Sequence, residues 1–157
     1  MSDRYWGKIE FPAALIDAEI TEVLEAEGVE MDNLDPSDNS RDDSAWVEDG
    51  IFTLEDSQAR YGQFEELEDL LVLKKIPFDR ESGALYEFIP EMRVFRPNMD
   101  RDMTFLLCDG SVALDLEVVR AQLRLGAFAL QAYLNEKFPE YPPLADFVTE
   151  GNTAQEA

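Results

Sequence analysis

Residues 8–28, KIEFPAALIDAEITEVLEAEG, contain the strand-to-helix transition from which the fold of this protein is predicted. The segment 8–12 predicts a short β-strand. Pro12 suits the first position of a helix, and Gly28 suits its end. Between them, apolar side chains recur at helical spacing at Ile16, Ile20, Val23 and Leu24. The stretch therefore predicts a strand followed at once by an amphipathic helix.

The polar side of this predicted helix is unusual, because all of its charges have the same sign. It carries Asp17, Glu19, Glu22, Glu25 and Glu27, and no lysine or arginine. Amphipathic helices normally mix signs, since like charges one turn apart cost roughly a few tenths of a kcal/mol per pair. The helix is therefore expected to present a negative face.

A second helix is predicted after an acidic loop. The loop is expected at 31–49, a strand follows at 51–57, and the helix covers 61–75. Its buried stripe is predicted to be Phe64, Leu67, Leu70, Leu71 and Leu73. Its outward residues are predicted to be Glu65, Glu66, Glu68 and Asp69.

The next part of the chain predicts mainly strands. One is expected at 76–80, and an extended stretch follows over 84–97, broken by Pro90. Asp109-Gly110 is the signature of a two-residue hairpin turn between two further strands. This region therefore predicts antiparallel neighbours joined by short connections.

The last predicted element is a nearly apolar helix over 116–138, which is expected to be buried against the sheet; self-association through it is the alternative. The order β-α-β-α-β-β-β-α predicts an α+β fold, with a mostly antiparallel sheet of four to six strands and three helices packed on it. Residues 1–140 are expected to form a single domain, and 141–157 a loosely ordered C-terminal tail.

The charge of the chain is large and uneven. Thirteen basic and 35 acidic residues give a formal net charge of −22. Between Asp17 and Asp69, 19 acids accompany only Arg41 and Arg60, a net of −17. Such a charge repels nucleic acid and anionic membranes and attracts basic partners. The concentration of acids in one part of the chain is the feature that points most directly to a function.

The sequence lacks the residues of most common active sites. It contains no histidine, the usual general base and the commonest zinc ligand. Its one cysteine, Cys108, lies in the apolar run FLLCDG and is expected to be buried and inert. Counting an EF-hand from Asp35 puts Ser40 and Trp46 where glycine and glutamate are required. The protein is therefore predicted not to be an enzyme and to have no catalytic residues, metal site or cofactor.

The predicted compartment is the cytoplasm. No run approaches about 18 consecutive apolar residues, the length that a membrane-spanning helix needs. The N-terminal residues lack the basic and apolar regions of a signal peptide. A single cysteine allows no disulfide within the chain.

Arginines and aromatic side chains are interleaved between residues 80 and 101, a pattern that can stack nucleic-acid bases. The set comprises Arg80, Arg93, Arg96 and Arg101 with Tyr86, Phe88 and Phe95. A protein of charge −22 repels phosphates, however. These aromatics are therefore expected to be sheet core, and the arginines are expected to pair with acids such as Glu87, Glu91 and Asp102.

The acidic half resembles DNA in charge and in size. Duplex DNA presents about one charge per 1.7 Å of axis, and acids one helical turn apart lie roughly 5–6 Å from each other. DNA-mimic proteins, including the antirestriction proteins of phages and plasmids, share this property, although the resemblance is one of charge and size only. A non-enzymatic protein that binds a basic surface, such as that of a nucleic-acid-binding protein, is predicted. The expected partner-binding residues are Asp17, Glu19, Glu22, Glu25, Glu30, Asp32, Asp35, Asp38, Asp42, Asp43, Glu65, Glu66 and Asp69.

Other functions fit the same composition. A hydrolase could use carboxylates from the acidic region to hold a divalent metal. An acidic adaptor could dock on a basic protein unrelated to DNA. A halophilic domain would also be acidic and poor in lysine, but its acids would be spread over all of its surfaces.

Overall fold

The computed structural model of the protein describes residues 3–42, 44–83, 89–99, 103–108 and 111–148. These residues form eight strands and four α-helices. The strands are β1 (Arg4–Pro12), β2 (Ser40–Arg41), β3 (Ala45–Glu48), β4 (Ile51–Arg60), β5 (Phe78–Ser82), β6 (Glu91–Phe95), β7 (Met103–Cys108) and β8 (Ser111–Val112). The helices are α1 (Ala18–Ala26), α2 (Glu65–Leu73), α3 (Leu116–Arg124) and α4 (Ala127–Lys137). Single 3-10 turns lie at Ala13–Leu15, Met31–Asn33 and Leu144–Phe147.

The strands form one sheet in the order β2-β3-β4-β1-β5-β6-β7-β8. Every neighbouring pair is antiparallel. Strand β1 lies inside the sheet, where Ile9 is opposite Leu54 of β4 on one side and Arg80 of β5 on the other. The predicted α+β class and antiparallel sheet are confirmed.

The predicted number of strands, four to six, is wrong: the described residues form eight. Strands β2 and β3 lie inside the segment 31–49, which was expected to be a loop, and β8 is the short second arm of the predicted hairpin. These three strands have two to four residues each. Elements so short show no recognisable alternation, and they form because a neighbouring strand offers hydrogen bonds. The hairpin turn residues Asp109 and Gly110 lie outside the described residues.

Helices α1 and α2 cover one face of the sheet, called here the helical face. Ile20 and Leu24 of α1 and Leu67 and Leu71 of α2 are fully buried in the main core. They meet alternate side chains of the strands, such as Phe11 of β1. The helix predicted within 12–28 is therefore confirmed, although it is preceded by a 3-10 turn and begins at Ala18 because Asp17 caps it.

The opposite face of the sheet holds a second, smaller core. Val94, Met103 and Phe105 are buried there. Their cover comes from the chain after α4, since Phe138 and Tyr141 stack on Phe105 with ring centroids 5.7 and 6.3 Å apart. Aromatic stacking of this kind adds to the free energy of burial.

The tail predicted to be loose over 141–157 is ordered in its first part. Arg96, which is fully buried, donates a hydrogen bond of 2.7 Å from Nε to the carbonyl of Pro142. Leu144 is 7% exposed and begins a 3-10 turn that lies against β1. A buried apolar side chain and a hydrogen bond from a buried arginine thus hold this segment against the sheet. Residues 149–157 lie outside the described part of the chain.

The single helix predicted over 116–138 is instead two helices. Gly126 separates α3 from α4 with φ = 121°, a conformation that L side chains rarely adopt. The expectation that this segment is buried against the sheet is also wrong: neither helix has a buried residue, and Phe128 is 93% exposed. Phe138 and Tyr141 occupy the sheet surface that the helix was expected to cover.

None of the helices in the described ranges is both long and apolar enough to cross a membrane.

Candidate acidic binding surface

Helices α1 and α2 lie side by side and run in opposite directions. At one end, Nζ of Lys74, directly after α2, is 2.8 Å from the carboxylate of Asp17 and 2.6 Å from that of Glu19, at the start of α1. At the other end, the charge of Glu66, at the start of α2, acts on Glu27, directly after α1. Both helices bury their apolar sides in the same core. Their acidic sides therefore face away from the sheet together.

Twelve of the thirteen predicted partner-binding residues lie in the described part of the chain, and Asp43 lies outside it. Eleven of the twelve are exposed and Asp42 is half-buried. We call these twelve residues the acidic surface. They are Asp17, Glu19, Glu22, Glu25, Glu30, Asp32, Asp35, Asp38, Asp42, Glu65, Glu66 and Asp69. The surface thus consists of α1, the segment after it, and the first part of α2.

Two members of the acidic surface also have structural roles. Asp17 caps α1 by accepting a hydrogen bond of 2.9 Å from the backbone N–H of Ile20. Its hydrogen bond with Lys74, followed by this backbone bond, lowers the pKa of Asp17. The same two carboxylates, Asp17 and then Glu19, raise the pKa of Lys74. The start of α1 is therefore the part of the acidic surface whose charge is compensated within the chain.

The segment between α1 and β3 is folded, although much of it was expected to be a flexible loop. Asp35 accepts hydrogen bonds from the N–H and the hydroxyl of Ser37, at 2.9 and 2.6 Å, and these bonds lower its pKa. Glu30 accepts a bond of 3.0 Å from the side-chain amide of Asn33. Short local bonds of this type stabilise turns, and Leu34 of this segment is buried in the main core, so the acids here hold defined positions.

The remaining carboxylates of the acidic surface form no ion pair with any described residue. There are ten of them: Glu22, Glu25, Glu30, Asp32, Asp35, Asp38, Asp42, Glu65, Glu66 and Asp69. Glu65 and Glu66 lie in the first turn of α2, where the helix dipole favours negative charge. The other charges repel one another, so cations from solution or from a partner are needed to relieve them.

An acidic cleft of about 320 Å³ lies where α1 ends and α2 begins. Its charged lining residues are Glu27, Asp56, Glu65 and Glu66, together with Arg4 and Arg60. Partial burial, followed by the charges of Asp56 and Glu66, raises the pKa of Glu27. Arg4 donates to the carbonyl of Gln58, and Arg60 lies over the ring of Tyr61. Four carboxylates against two arginines line the cleft, so negative charge dominates this end of the helix pair.

One acid of α2 is buried, contrary to the prediction that it faces solvent. Glu68 is 2% exposed and accepts hydrogen bonds from the backbone N–H of Phe64 at 2.8 Å, from Nε of Arg80 at 3.1 Å and from Nη1 of Arg93 at 2.8 Å. Arg80 also donates to the carboxylate of Glu91, at 3.0 Å. Because each buried charge has an opposite partner, this network is structural and adds nothing to the acidic surface.

Sequence reasoning missed this network, although a signal for it exists. Glu68 lies one helical turn after Phe64 and three residues before Leu71, so it belongs to the apolar stripe of α2. Arg80 alternates with Phe78 and Ser82 along β5, all three of which are buried. An acid and an arginine at core positions of two neighbouring elements predict a buried ion pair.

The expectation that the arginines between residues 80 and 101 pair with acids holds for Arg80, Arg93 and Arg96, which the structure describes. Arg80 pairs with Glu91, as predicted, and Nη1 of Arg96 is 2.9 Å from the carboxylate of Asp79. The aromatic partners that fall in 84–88, with Arg101 and Asp102, lie outside the described residues. The pairing leaves little positive charge on this part of the sheet for binding phosphates.

The cysteine was predicted to be buried, but Cys108 is exposed. Strand β7 buries Met103, Phe105 and Leu107, and its alternation places Cys108 on the helical face. There, α1 and α2 do not reach the outer strands, so the apolar neighbours of Cys108 in sequence do not cover it.

No family model, curated protein or solved structure matches this chain. Its function therefore has to be inferred from the geometry and charge of its own surface.

Proposed function

We propose that this protein is a non-enzymatic interaction protein whose acidic surface binds a strongly basic surface of another protein. The preferred partner is a protein that binds nucleic acid, with the acidic surface occupying the cleft that otherwise holds phosphates. The protein would then act as an inhibitor of the DNA-mimic type, as found among phages and plasmids, and the cytoplasm is the proposed compartment.

One observation supports the proposal above all others. The antiparallel pair of α1 and α2, with the segment after α1, carries ten carboxylates that have no basic partner in the described part of the chain. Acids one turn apart lie roughly 5–6 Å from each other on a helix. The carboxylates of α1 and α2 follow this spacing, and those of the segment after α1 extend the set, so the surface offers a group of exposed anions to a groove lined by lysine and arginine.

The test compares two variants that remove the same charge from different parts of the protein surface. The acidic-surface variant carries Glu22→Gln, Glu25→Gln, Glu65→Gln and Glu66→Gln. The control carries Glu48→Gln, Asp49→Asn, Glu140→Gln and Asp146→Asn, four exposed residues that lie outside α1, α2 and the acidic surface. Each variant loses four of the 35 acids, so both have the same net charge.

Each protein is immobilised and exposed to host lysate at low and at high salt, with and without added duplex DNA. The wild-type protein and the control are expected to capture the same basic protein at low salt, and the acidic-surface variant to lose it. Added DNA should displace the captured protein, because both ligands would use one phosphate-binding cleft. High salt should weaken capture, since peripheral charges mainly affect association rate and salt dependence.

Two results would contradict the proposal. Capture of no basic protein at either salt concentration is one of them. Equal loss of binding by both variants is the other, because net charge alone would then explain the binding. Capture that DNA does not displace would favour an acidic adaptor over a DNA mimic.

The metal-dependent hydrolase and the halophilic domain remain alternative proposals. In the described residues no three side chains of the metal-ligating kinds come together. A halophilic domain would bear unpaired acids on both faces of the sheet alike. The salt experiment described in the Discussion distinguishes a metal site from simple screening.

A further inference from the structure

Helices α3 and α4 form a second surface whose chemistry is opposite to that of the acidic surface. Several of their large apolar side chains, and those just before them, are solvent-exposed. Leu116 is 57% exposed, Leu123 55%, Leu125 75% and Phe128 93%, and Val112 and Leu114 are also exposed. Large apolar side chains that cluster on one pair of elements, rather than being scattered singly over the surface, often mark an interaction site.

The sequences of α3 and α4 explain why the two helices cannot bury all of each other's apolar side chains. Along α3, the apolar residues Leu116, Val119 and Leu123 form one stripe. Helix α4, AFALQAYLNEK, is apolar on nearly every side over its first eight residues. A single neighbouring helix can bury only one side of α4, so the other sides need a further partner.

The rest of the chain does not supply that cover among the described residues, where neither helix has a buried side chain. The C-terminal residues 149–157, TEGNTAQEA, contain no large apolar side chain. An apolar groove of about 220 Å³ adjoins the base of the pair, lined in part by Leu114, Leu134 and Phe138. It continues the exposed apolar surface towards the sheet.

Charge determines which partner fits this surface. The helix pair carries Arg120, Arg124 and Lys137 against Glu117 and Glu136, a net of +1, within a chain of net charge −22. Two copies of so acidic a protein repel each other over most of their surfaces. The helix pair is the region through which they can approach without bringing acids together.

We propose that two copies of this protein associate through α3 and α4, with Leu125 and Phe128 at the centre of the contact. A symmetric pair of copies places the same patch on both sides of the interface and closes the assembly as a dimer. Two α3–α4 pairs can pack as four helices around a shared apolar core.

The size of the surface predicts a weak dimer. Helices of 9 and 11 residues are together about 30 Å long and about 10 Å wide, a projected footprint of about 300 Å² per copy. Standard stable interfaces bury about 800 Å² of accessible surface per partner. A dimer weaker than one with a standard interface is therefore expected, and its dissociation constant should decrease at higher salt because screening reduces repulsion between the copies.

The test is sedimentation velocity of the full chain across a concentration series on the order of 1 to 100 µM, at low and high salt. The first variant carries Leu125→Ser and Phe128→Ser; both side chains are so exposed that the fold should persist, which far-ultraviolet circular dichroism checks. The control is Leu73→Ser, a leucine of α2 that is 77% exposed and outside the helix pair. The wild-type protein and the control should form dimers, and the double variant should remain a monomer.

A wild-type protein that stays monomeric over the whole range would overturn the proposal. So would a folded double variant that still dimerises, a control that loses dimerisation equally, or assembly beyond the dimer. The acidic surface plays no part in this test, so its outcome is independent of the proposed function.

Discussion

Glu68 shows how the environment of one residue decides between a surface charge and a structural charge. Its neighbours in sequence, Glu66 and Asp69, are exposed, whereas Glu68 is buried between Arg80 and Arg93. Removing one member of a buried ion pair leaves the others uncompensated, which costs more than the pair itself contributes.

Glu68→Gln is expected to lower the free energy of unfolding by about 3–5 kcal/mol, because the charge of Glu68, which faces both Arg80 and Arg93 in the buried network, is removed. Asp69→Asn, at the next position and exposed, should change it by no more than about 0.5 kcal/mol. Urea unfolding of both variants measures the difference. Similar values for the two would mean that the buried network contributes little to stability.

The pKa of Glu27 provides a pH-dependent prediction for a single residue. It is raised by partial burial and by the charges of Asp56 and Glu66, so the folded protein binds this proton more tightly than the unfolded chain does. Ionised Glu27 therefore destabilises the fold, and this penalty disappears as the pH falls through the folded-state pKa. Glu27→Gln should raise the melting temperature near neutral pH, and the gain should vanish in mild acid.

Asp17 provides a second pH-dependent prediction, in which the substitution has the opposite effect on the melting temperature. Its pKa is lowered in the fold by Lys74, so its contribution to stability is present above the unfolded-state pKa and is lost as the pH falls through the folded one. Asp17→Asn should lower the melting temperature at neutral pH, with a difference that fades in acid. Melting curves across the pH range measure both; an increase in melting temperature for both variants would contradict the assignment of Asp17, and a decrease for both would contradict that of Glu27.

At the scale of the element, α2 shows how far helical periodicity predicts burial. The sequence places both Leu71 and Leu73 in the buried stripe. In the structure Leu71 is fully buried and Leu73 is 77% exposed. Lys74 ends the helix and Lys75 adopts φ = 60°, so the chain turns away from the core directly after Leu73. The periodicity therefore holds for the body of the helix and fails in its last turn.

Leu71→Ala is expected to lower the free energy of unfolding by about 2–5 kcal/mol, through lost burial and the cavity left behind. Leu73→Ala should change it by less than about 0.5 kcal/mol. Denaturant unfolding of the two variants is the measurement. A large effect at Leu73 in dilute protein would show that this side chain is covered in solution.

At the scale of the whole molecule, unpaired acids make the stability dependent on ionic strength. The net charge of −22 destabilises the compact state through self-repulsion, which salt screens. The melting temperature should therefore rise with sodium chloride. Magnesium, manganese or calcium chloride at matched ionic strength should add little beyond this. A larger shift at a low concentration of one divalent ion would instead favour the metal-dependent hydrolase, since specific binding stabilises by mass action.

The sequence by itself determined the α+β class, the positions of β1, α1, β4 and α2, and the concentration of acids in the first half of the chain. These features depend on periodicity and composition within short segments, which the sequence displays directly. The exposure of the acids on α1 and of Glu65, Glu66 and Asp69 on α2 was predictable for the same reason, because charged side chains on the polar side of a helix usually stay in solvent; Glu68 is the exception.

Only the tertiary structure decided which of those features come together. The short strands β2, β3 and β8, the antiparallel pairing of α1 with α2, and the burial of Glu68 by Arg80 all depend on contacts between residues far apart in sequence. The exposure of α3 and α4 was decided in the same way. Phe138, the last residue of the predicted helix, and Tyr141 after it pack on the sheet, whereas the helices before them do not, and no local sequence pattern predicts that difference.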